Sequence, residues 1–329
     1  MTERFLVIGS NSFTGSHFVR HLLDRGHEVL GVSRSEEPEP LFLAHRWGDD
    51  RGFQFHRIDL NHDLERLVDL VNRQGTTHVV NFAGQGMVAQ SWERPEDWYR
   101  TNVLAQVGLH EHLRRLPTLV SYLHVSTPEV YGSTNGPVNE QAPFAPTTPY
   151  AVSRAACDLH LRTFCETHGF PVTWTRASNV YGPGQQLYRI IPRAALGCRL
   201  GRTLPLHGGG TSERNFVHVE DVVSATYLVA TRGRVGTAYH VAGTEVVSIR
   251  DLVERICSLA GVDPEEVIQL ADERVGKDQR YELETGRIRS ELGWADGVRL
   301  EDGLAGTLRW VDENLEVLGA LPLDYVHKA

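Results

Sequence analysis

The feature that most constrains the fold is a strand, a glycine turn and a helix within the first 25 residues. Residues 4–8 form a short apolar run, residues 9–15 contain the turn, and residues 16–25 have an amphipathic helical pattern. Such a turn lets backbone N–H groups at a helix N-terminus approach a pyrophosphate, which the helix dipole also favours. The sequence therefore predicts a dinucleotide site, with binding residues in the turn at Gly9, Asn11, Ser12, Phe13, Thr14 and Gly15.

The residues after the next two predicted strands bear on the choice of dinucleotide. A carboxylate after the second strand would hold a ribose 2′-hydroxyl, but this chain has Ser33, Arg34 and Ser35 there. Arg34 suits a 2′-phosphate, so NADP is favoured over NAD, although a solvated loop arginine is the alternative. Asp59 and Leu60 end the third strand and are expected around the adenine, unless Asp59 is a helix cap.

Strand and helix patterns alternate from the N-terminus to about residue 180. Further apolar runs at residues 79–83, 121–126 and 172–176 predict an α/β fold, a Rossmann-type doubly wound parallel sheet. Ligands of such sheets collect beyond the carboxyl ends of the strands. The 329 residues exceed one minimal core. We therefore predict a dinucleotide-binding domain of residues 1–180 plus about 215–243, and a smaller C-terminal substrate-binding lobe of residues 181–214 and 244–329.

Composition excludes several classes of partner. A net charge of −9 without a basic block argues against nucleic acid. No apolar run approaches the roughly 20 residues that a bilayer requires, so we expect a cytoplasmic protein without a membrane span. The four cysteines lack ligand spacing, and His110 and His112 would face different sides of a helix. No metal is expected.

A hydroxyl, a carboxylate, a phenol and a cation follow the predicted strand at 121–126. Tyr150 and Arg154 are four apart in a helical pattern and share a face, so they can act on one ligand. A nearby cation favours the phenolate and would make Tyr150 a base near neutral pH, with Thr127 completing a hydrogen-bond relay. This combination predicts redox chemistry on a sugar alcohol. The alternative is that Tyr150 caps a buried helix and Arg154 is a surface charge.

Several motifs in order carry a family resemblance over nearly the whole chain. Residues 126–132, Ser-Thr-Pro-Glu-Val-Tyr-Gly, resemble the Ser-Thr-Asp-Glu-Val-Tyr-Gly of dTDP-glucose 4,6-dehydratases, and residues 85–88 with 91–95 are similar to GDP-mannose 4,6-dehydratases. The chain thus resembles the extended short-chain dehydrogenase/reductases, and within them the NAD(P)-dependent nucleotide-sugar epimerases and dehydratases. Segments matching those that hold a nucleoside diphosphate lie at 179–183, 190–193, 204–208, 214–216 and 274–281.

The resemblance implies roles for particular residues. Catalysis is expected of Thr127, Glu129, Tyr150 and Arg154. Further cofactor contacts are expected at Phe82, Ala83, Gly84, Gln85, Asn102, Tyr150 and Arg154, although Asn102 has a packing role inside its helix as an alternative. A nucleotide-diphosphate sugar is expected to contact Met87, Ser126, Thr127, Asn179, Ile191, Arg193, Leu206, His207, Arg214 and Arg280. The resemblance also implies a homodimer through a four-helix bundle. Leu159, Leu161 and Phe164 would fit its seam, and the alternative is that they face the sheet of their own chain.

The implied reaction is a 4,6-dehydration in which the cofactor is regenerated at each turnover. Tyr150 accepts the 4-hydroxyl proton as hydride leaves C4, Glu129 removes the C5 proton, water leaves from C6, and hydride returns there. Three residues depart from the family pattern. Ser12 replaces a glycine of the turn, Arg154 a lysine, and Pro128 the aspartic acid that would protonate the leaving hydroxyl.

Other activities share the first oxidation step. A 4-epimerase would return hydride to the opposite face of C4 and would not need Glu129. A decarboxylase of a nucleotide-linked uronic acid would need a basic residue for the C6 carboxylate, which the sequence alone does not identify. A non-catalytic relative that only binds the dinucleotide is the alternative from another class, because Ser12, Pro128 and Arg154 all depart from the pattern.

Overall fold

Strands and helices alternate along most of the chain in a computed structural model that describes residues 3–134, 136–272 and 282–327. The strands are β1 (Phe5–Ile8), β2 (Val29–Ser33), β3 (Phe53–Arg57), β4 (His78–Asn81), β5 (Ser121–Val125), β6 (Pro137–Val138), β7 (Val172–Ala177), β8 (Asn179–Tyr181), β9 (Leu204–His207), β10 (Glu213–His218), β11 (Ala238–Val241), β12 (Val246–Ser248), β13 (Ile268–Ala271) and β14 (Glu282–Leu283). The helices are α1 (Phe13–Leu23), α2 (Leu64–Gln74), α3 (Pro95–Tyr99), α4 (Ala105–Leu113), α5 (Pro149–His168), α6 (Ile190–Leu200), α7 (Val219–Arg232), α8 (Ile249–Ala260), α9 (Pro264–Val267), α10 (Gly286–Leu292), α11 (Leu300–Glu313) and α12 (Leu315–Ala320).

Seven strands form one parallel sheet in the order β11-β7-β5-β4-β1-β2-β3. Its central strands are apolar runs because both faces of a parallel sheet are covered by helices. All four residues of β1 are buried, for example. The prediction of a doubly wound parallel sheet is confirmed, and the order reverses beside β1, where such folds bind nucleotides.

Each face of the sheet has its own core. On one face, α1 and α7 contribute Phe18, Leu22 and Val229 to an apolar cluster with β1. On the other, α2, α4 and α5 contribute Leu67, Leu109 and Leu161. The helices therefore lie on both sides of the sheet, as the alternating pattern requires.

A further apolar cluster lies among α6, α8 and α11 and extends from Tyr181 to Leu318 in sequence. The pair of parallel strands β9 and β13 borders it. Strand β11 joins the main sheet after this region has begun. The exact domain division stays a prediction.

Helix α5 positions the tyrosine of the predicted site. It begins after Thr148, whose hydroxyl accepts a hydrogen bond from the Ala151 backbone N–H at 3.1 Å, and Pro149 occupies its first position. It ends at Gly169, which has φ +64°. Tyr150 consequently lies in the first turn, close to the carboxyl end of the sheet. In the described ranges, no helix has both the length and the apolar character needed to cross a bilayer.

Candidate active site

A cleft of about 290 Å³ lies at the carboxyl ends of β1 to β4. The predicted cofactor residues that line it are Gly9, Asn11, Ser12, Ser33, Arg34, Asp59, Leu60, Phe82, Ala83, Gly84 and Gln85. Residues that the sequence analysis missed are Ile8, Ser35, Glu36, Pro38, Ile58, Asn61 and Thr101. Most of these adjoin predicted residues, so widening each strand end by one or two positions would have found them.

At two glycines of the turn there is no space for a side chain. Gly9 has φ +84°, and a Cβ there would lie 2.9 Å from the Ala83 backbone nitrogen. A Cβ on Gly15 would lie 2.2 Å from the Gly9 carbonyl oxygen. The N-terminus of α1 therefore comes close to the end of β1 and faces the cleft, an arrangement that suits a pyrophosphate.

Ser12, the first departure from the family pattern, closes this turn from within. Its hydroxyl donates to the Gly9 carbonyl at 2.7 Å and accepts from the Gly15 backbone N–H at 3.1 Å. Ser12 is the N-cap of α1 with φ −74°, so it needs no glycine conformation. Of its neighbours, Phe13 packs in the core with 7% of its surface exposed, and Thr14 is half-buried.

The end of the cleft near β2 contains both signs of charge. The Ser33 hydroxyl accepts from the Asn11 backbone N–H at 3.0 Å, which ties β2 to the glycine turn. Arg34 lines the cleft beside Glu36. Arg57 donates to the Arg34 carbonyl at 3.3 Å and to the Glu36 carboxylate at 3.1 Å, so this carboxylate is paired with a guanidinium.

Asp59 lies beyond the end of β3, which stops at Arg57. Its carboxylate accepts from the Asn61 backbone N–H at 2.9 Å, and both Asp59 and Leu60 line the cleft. The alternative role of Asp59 as the cap of the next helix does not hold, because α2 begins after Asp63.

Asn102 holds the loop after β4 in place. It lies in a π-helical turn, Arg100–Leu104, and is 1% exposed. Its amide accepts from the Gln85 N–H at 2.8 Å and donates to the Gln85 carbonyl and the Ser153 hydroxyl, both at 3.0 Å. The Ser153 hydroxyl donates to the Tyr150 carbonyl at 2.7 Å. Asn102, predicted as a cofactor contact, instead uses its amide to join this loop to the start of α5.

Thr127 and Tyr150 form the predicted hydrogen-bonded pair. Burial raises the pKa of the Tyr150 phenol, the positive charge of Arg154 opposes this, and the negative charge of Glu129 adds to it. A hydrogen bond from the Thr127 hydroxyl also lowers the pKa. The predicted direction of the effect of Arg154 is correct. Desolvation has the larger effect, so the structure raises the pKa of the phenol, in contrast to the prediction of a phenol poised near neutral pH.

Arg154, the second departure, is buried with 6% exposed, so the alternative of a surface charge is wrong. One guanidinium nitrogen, Nη2, donates to the Val125 carbonyl and to Nε2 of His124, the latter at 3.2 Å. The other, Nη1, lies beside Gly84, where a Cβ would be only 2.5 Å away. Arg154 thus extends from α5 to the end of β5 and borders the cleft.

Pro128, the third departure, is the first residue of a short 3₁₀ turn, Pro128–Tyr131. Thr127 caps this turn by accepting from the Glu129 backbone N–H at 3.3 Å. Proline suits that position because the backbone N–H it lacks would have no partner there. Glu129 is half-buried and close enough to Tyr150 for its charge to raise the pKa of the phenol.

Ser126 does not present its hydroxyl to the substrate as predicted. It donates to the Asp158 carboxylate at 2.7 Å, which also accepts from Arg176 at 2.7 Å. Arg176 donates in turn to the Tyr131 hydroxyl at 2.9 Å. This buried network lies next to the predicted catalytic residues and was missed. One available signal was Asp158 itself, which follows Arg154 by four residues and therefore shares its helix face.

His110, His124 and Cys157 bring possible metal-ligand atoms within 4.8 Å of one another, all buried. The Tyr122 hydroxyl hydrogen-bonds Nε2 of His110 at 2.9 Å, and Arg154 donates to Nε2 of His124. Burial lowers the pKa of both imidazoles well below the usual range. Arg154 can only donate, so the neutral ring of His124 uses its one lone pair as an acceptor, which argues against a metal here.

The predicted substrate residues of the second lobe divide by burial. Ile191 and Leu206 are 1% and 2% exposed in its apolar core, so their side chains pack there rather than facing a ligand. Asn179 begins β8, and its amide donates to the Asn215 carbonyl at 3.1 Å. Met87 is half-buried in the loop after Gln85.

The polar residues predicted to bind the substrate in the second lobe pair with other groups of the protein. Arg193 pairs with Asp324 at 3.3 Å, His207 donates to the Asp272 carbonyl at 2.7 Å, and Arg214 donates to the Glu213 carbonyl at 2.7 Å. Arg280 lies outside the described residues.

Arg189 is a cation near the site that the sequence analysis did not single out. It precedes α6, is exposed, and its positive charge lowers the pKa of Tyr150. The signal was its place directly before the Ile-Ile-Pro-Arg segment at 190–193.

The cleft fits a dinucleotide on structural grounds. Gly9 and Gly15, where no Cβ would fit, lie at the N-terminus of α1. The cleft extends from there to Gly84, which lies beside Arg154. Together with the buried pair of Thr127 and Tyr150, these features define an NAD-dependent enzyme. Residues 5–242 match the NAD dependent epimerase/dehydratase family, and the chain belongs to that family.

Three relatives are similar to this chain over nearly their whole length. A dTDP-glucose 4,6-dehydratase of Streptomyces griseus is 35% identical, covering 98% of this chain and 100% of that protein. The crystal structure of DesIV, a dTDP-glucose 4,6-dehydratase of Streptomyces venezuelae with NAD bound, has a TM-score of 0.89 at 33% identity and covers 95% of this chain and 98% of that one. MoeE5 in complex with UDP-glucuronic acid and NAD has a TM-score of 0.84 at 28% identity, covering 94% and 99%.

Replacing Thr127 tests the hydroxyl pair. Thr127→Val removes the hydrogen bond that favours the phenolate, so we expect the pKa of Tyr150 to rise by about 1 pH unit. Less phenolate then forms at any given pH, and the rising limb of the pH–kcat profile moves to higher pH. Thr127→Ser keeps the hydroxyl and serves as the control. A profile that is the same for the valine and serine variants would contradict the role of the hydroxyl.

Proposed function

We propose that this protein is a nucleotide-sugar 4,6-dehydratase that converts an NDP-hexose into an NDP-4-keto-6-deoxyhexose. The observation that carries the proposal is that Glu129 lies close enough to Tyr150 for the carboxylate charge to raise the pKa of the phenol. An oxidation at C4 needs only the phenol and its relay, whereas removal of the C5 proton needs a second base. The relatives that are dTDP-glucose 4,6-dehydratases support the same activity.

Tyr150 and Glu129 each transfer a different proton in the proposed reaction. Tyr150 accepts the 4-hydroxyl proton, and Thr127 stabilises the phenolate through its hydrogen bond. NAD, when bound, would supply the acceptor for the hydride from C4 and the donor of the hydride to C6. Glu129 removes the C5 proton, which the new ketone acidifies. Pro128 cannot donate a proton to the 6-hydroxyl, so Glu129 passes on the proton that it has just received, and water leaves. C5 then takes up a proton as hydride is added at C6, which balances the proton that Tyr150 accepted from the 4-hydroxyl.

A nucleotide-linked uronic acid is the second candidate substrate. Its C6 carboxylate needs a cation, and Arg189 supplies a positive charge near Tyr150. MoeE5 binds UDP-glucuronic acid. With such a substrate the same first oxidation would lead to epimerisation or loss of carbon dioxide rather than loss of water.

Substitution of Glu129 separates these activities. With Glu129→Gln we expect water loss from an NDP-hexose to slow by about 100-fold or more, because a general base is lost, while C4 oxidation continues. The measurement is mass spectrometry of products from UDP-, dTDP-, GDP- and CDP-hexoses and a UDP-uronic acid.

Glu166→Gln, at an exposed position near the end of α5, is the matched control. Unchanged mass with a new chromatographic peak would indicate an epimerase, and loss of carbon dioxide a decarboxylase. No conversion of any sugar by the wild-type protein would favour a dinucleotide-binding relative without catalysis.

We also propose that NADP is preferred over NAD. Arg34 lines the cleft, residues 33–35 contain no carboxylate, and Arg57 pairs with the nearby Glu36. A guanidinium at this place can form a charge-assisted bond to a 2′-phosphate.

Replacing Arg34 tests this preference. We expect Arg34→Ala to weaken NADP binding by about 10- to 100-fold and NAD binding by less than about threefold, since only the phosphate bond is lost. Isothermal titration calorimetry with both dinucleotides gives the two affinities. Arg66→Ala, a change to an arginine outside the cleft lining, is the control. Equal losses for NADP and NAD would refute the preference.

We propose a homodimer in which α4 and α5 of each subunit form a four-helix bundle. The expected seam needs correction, because Leu161 is fully buried and Phe164 packs against the sheet core of its own chain. Val152 and Leu159, seven apart on α5 and therefore on one face, are 38% and 47% exposed. Leu104, just before α4, is 69% exposed.

A charge in this face should prevent association. We expect Leu159→Asp to give a monomer, because a carboxylate would be buried without a partner at the seam. Leu259→Asp on α8, at a leucine 43% exposed, should leave the dimer intact. Molar mass from analytical ultracentrifugation distinguishes the two states, and a monomeric wild-type protein would rule out the dimer.

A further inference from the structure

The arginine at position 154 needs hydrogen-bond acceptors in the plane of its guanidinium, which a lysine would not need. A guanidinium carries five N–H donors in a rigid plane, and a buried one needs acceptors in that plane. Arg154 is 6% exposed and sends Nη2 to the end of β5. The acceptors there are the Val125 carbonyl and Nε2 of His124. The first is backbone, so His124 is the acceptor that depends on the sequence.

The two ends of the guanidinium face different surroundings. Nη2 is held against the sheet by His124, whereas Nη1 lies against Gly84, which lines the cofactor cleft. A Cβ at position 84 would come within 2.5 Å of Nη1, so the absence of a side chain gives this nitrogen its place. Anchoring one end therefore fixes the position of the other end at the cleft.

His124 can serve as an acceptor only while its ring is neutral. The groups that face it are Arg154, Asp158 and Cys157 on α5, His110 on α4, Arg176 on β7 and Tyr122 on β5. Burial lowers the pKa of His124 well below its usual range, and the charges of Arg154 and Arg176 lower it further. The ring consequently keeps its Nε2 lone pair throughout the pH range in which an enzyme works.

We propose that His124 is the positioning residue that lets an arginine serve at position 154, by fixing the guanidinium between β5 and the cofactor cleft. His124 acts through Arg154 on Tyr150, which also faces Glu129 and Arg189. The part that concerns turnover rests on the proposed function. The part that concerns the ionisation of Tyr150 does not.

Two substitutions of His124 with side chains of similar size distinguish its role as a hydrogen-bond acceptor from its role in packing. Glutamine at 124 places an amide oxygen near the position of Nε2, whereas methionine fills the space without a comparable acceptor. We expect His124→Met to release the guanidinium and to raise the pKa of Tyr150 by about 1 pH unit, because the cation is no longer held nearby. His124→Gln should keep this pKa within about 0.3 units of that of the wild type.

The pKa is read by ultraviolet titration of tyrosinate in the protein without sugar, with the Tyr150→Phe protein subtracted. This readout needs no turnover, so it stands even if the protein dehydrates no sugar. In the enzyme assay, His124→Met should lower kcat about tenfold at neutral pH, as a shift of one unit implies, with a smaller change in KM for the sugar.

The same substitutions in an Arg154→Lys background complete the test. A lysine has no second nitrogen to reach His124, so we expect methionine and glutamine at 124 to give the same pKa of Tyr150 there. Equal pKa values for the two variants in the arginine background, or a full shift by methionine in the lysine background, would overturn the proposal. Thermal melting checks folding, and His124→Asn, too short to reach Nη2, replaces the methionine variant if that variant does not fold.

Discussion

The site depends on charged side chains that are buried near Tyr150 and must be paired and hydrogen-bonded. Arg154, Asp158 and Arg176 are 6%, 3% and 3% exposed, and buried charges are costly unless they are paired and hydrogen-bonded. Asp158 meets this requirement for Arg176 and accepts from Ser126 as well. These bonds join α5 to the ends of β5 and β7. The phenol at the start of the helix is thereby held at a defined place relative to the cleft.

Each departure from the family pattern has a local physical accommodation. Ser12 caps the helix with the hydroxyl that distinguishes it from glycine. Pro128 takes the one position of its turn where a missing N–H is harmless. Arg154 finds an imidazole acceptor in His124. The three residues therefore fit an intact site and do not mark a degenerate one.

Local patterns predicted much of the fold. The strand positions followed from apolar runs, and the helical pattern that contains Tyr150 and Arg154 is α5, Pro149–His168. Many of the predicted cofactor residues line one cleft, because glycine sterics and strand ends act within a few residues. Predictions of side-chain surroundings were less successful. Ser126, Ile191, Leu206, Leu161 and Phe164 were each expected to face a ligand or a partner and instead face the protein interior.

The sequence by itself determined the parallel sheet, the dinucleotide turn and the gathering of Thr127, Glu129 and Tyr150 at one edge, since each depends on the period of a strand or helix. Only the tertiary structure decided that burial outweighs Arg154 in setting the pKa of Tyr150, and that His124 holds Arg154. The physical reason is the separation of the interacting groups along the chain. Desolvation and buried hydrogen bonds depend on groups far apart in the chain, and His124 and Arg154 are separated by 30 residues.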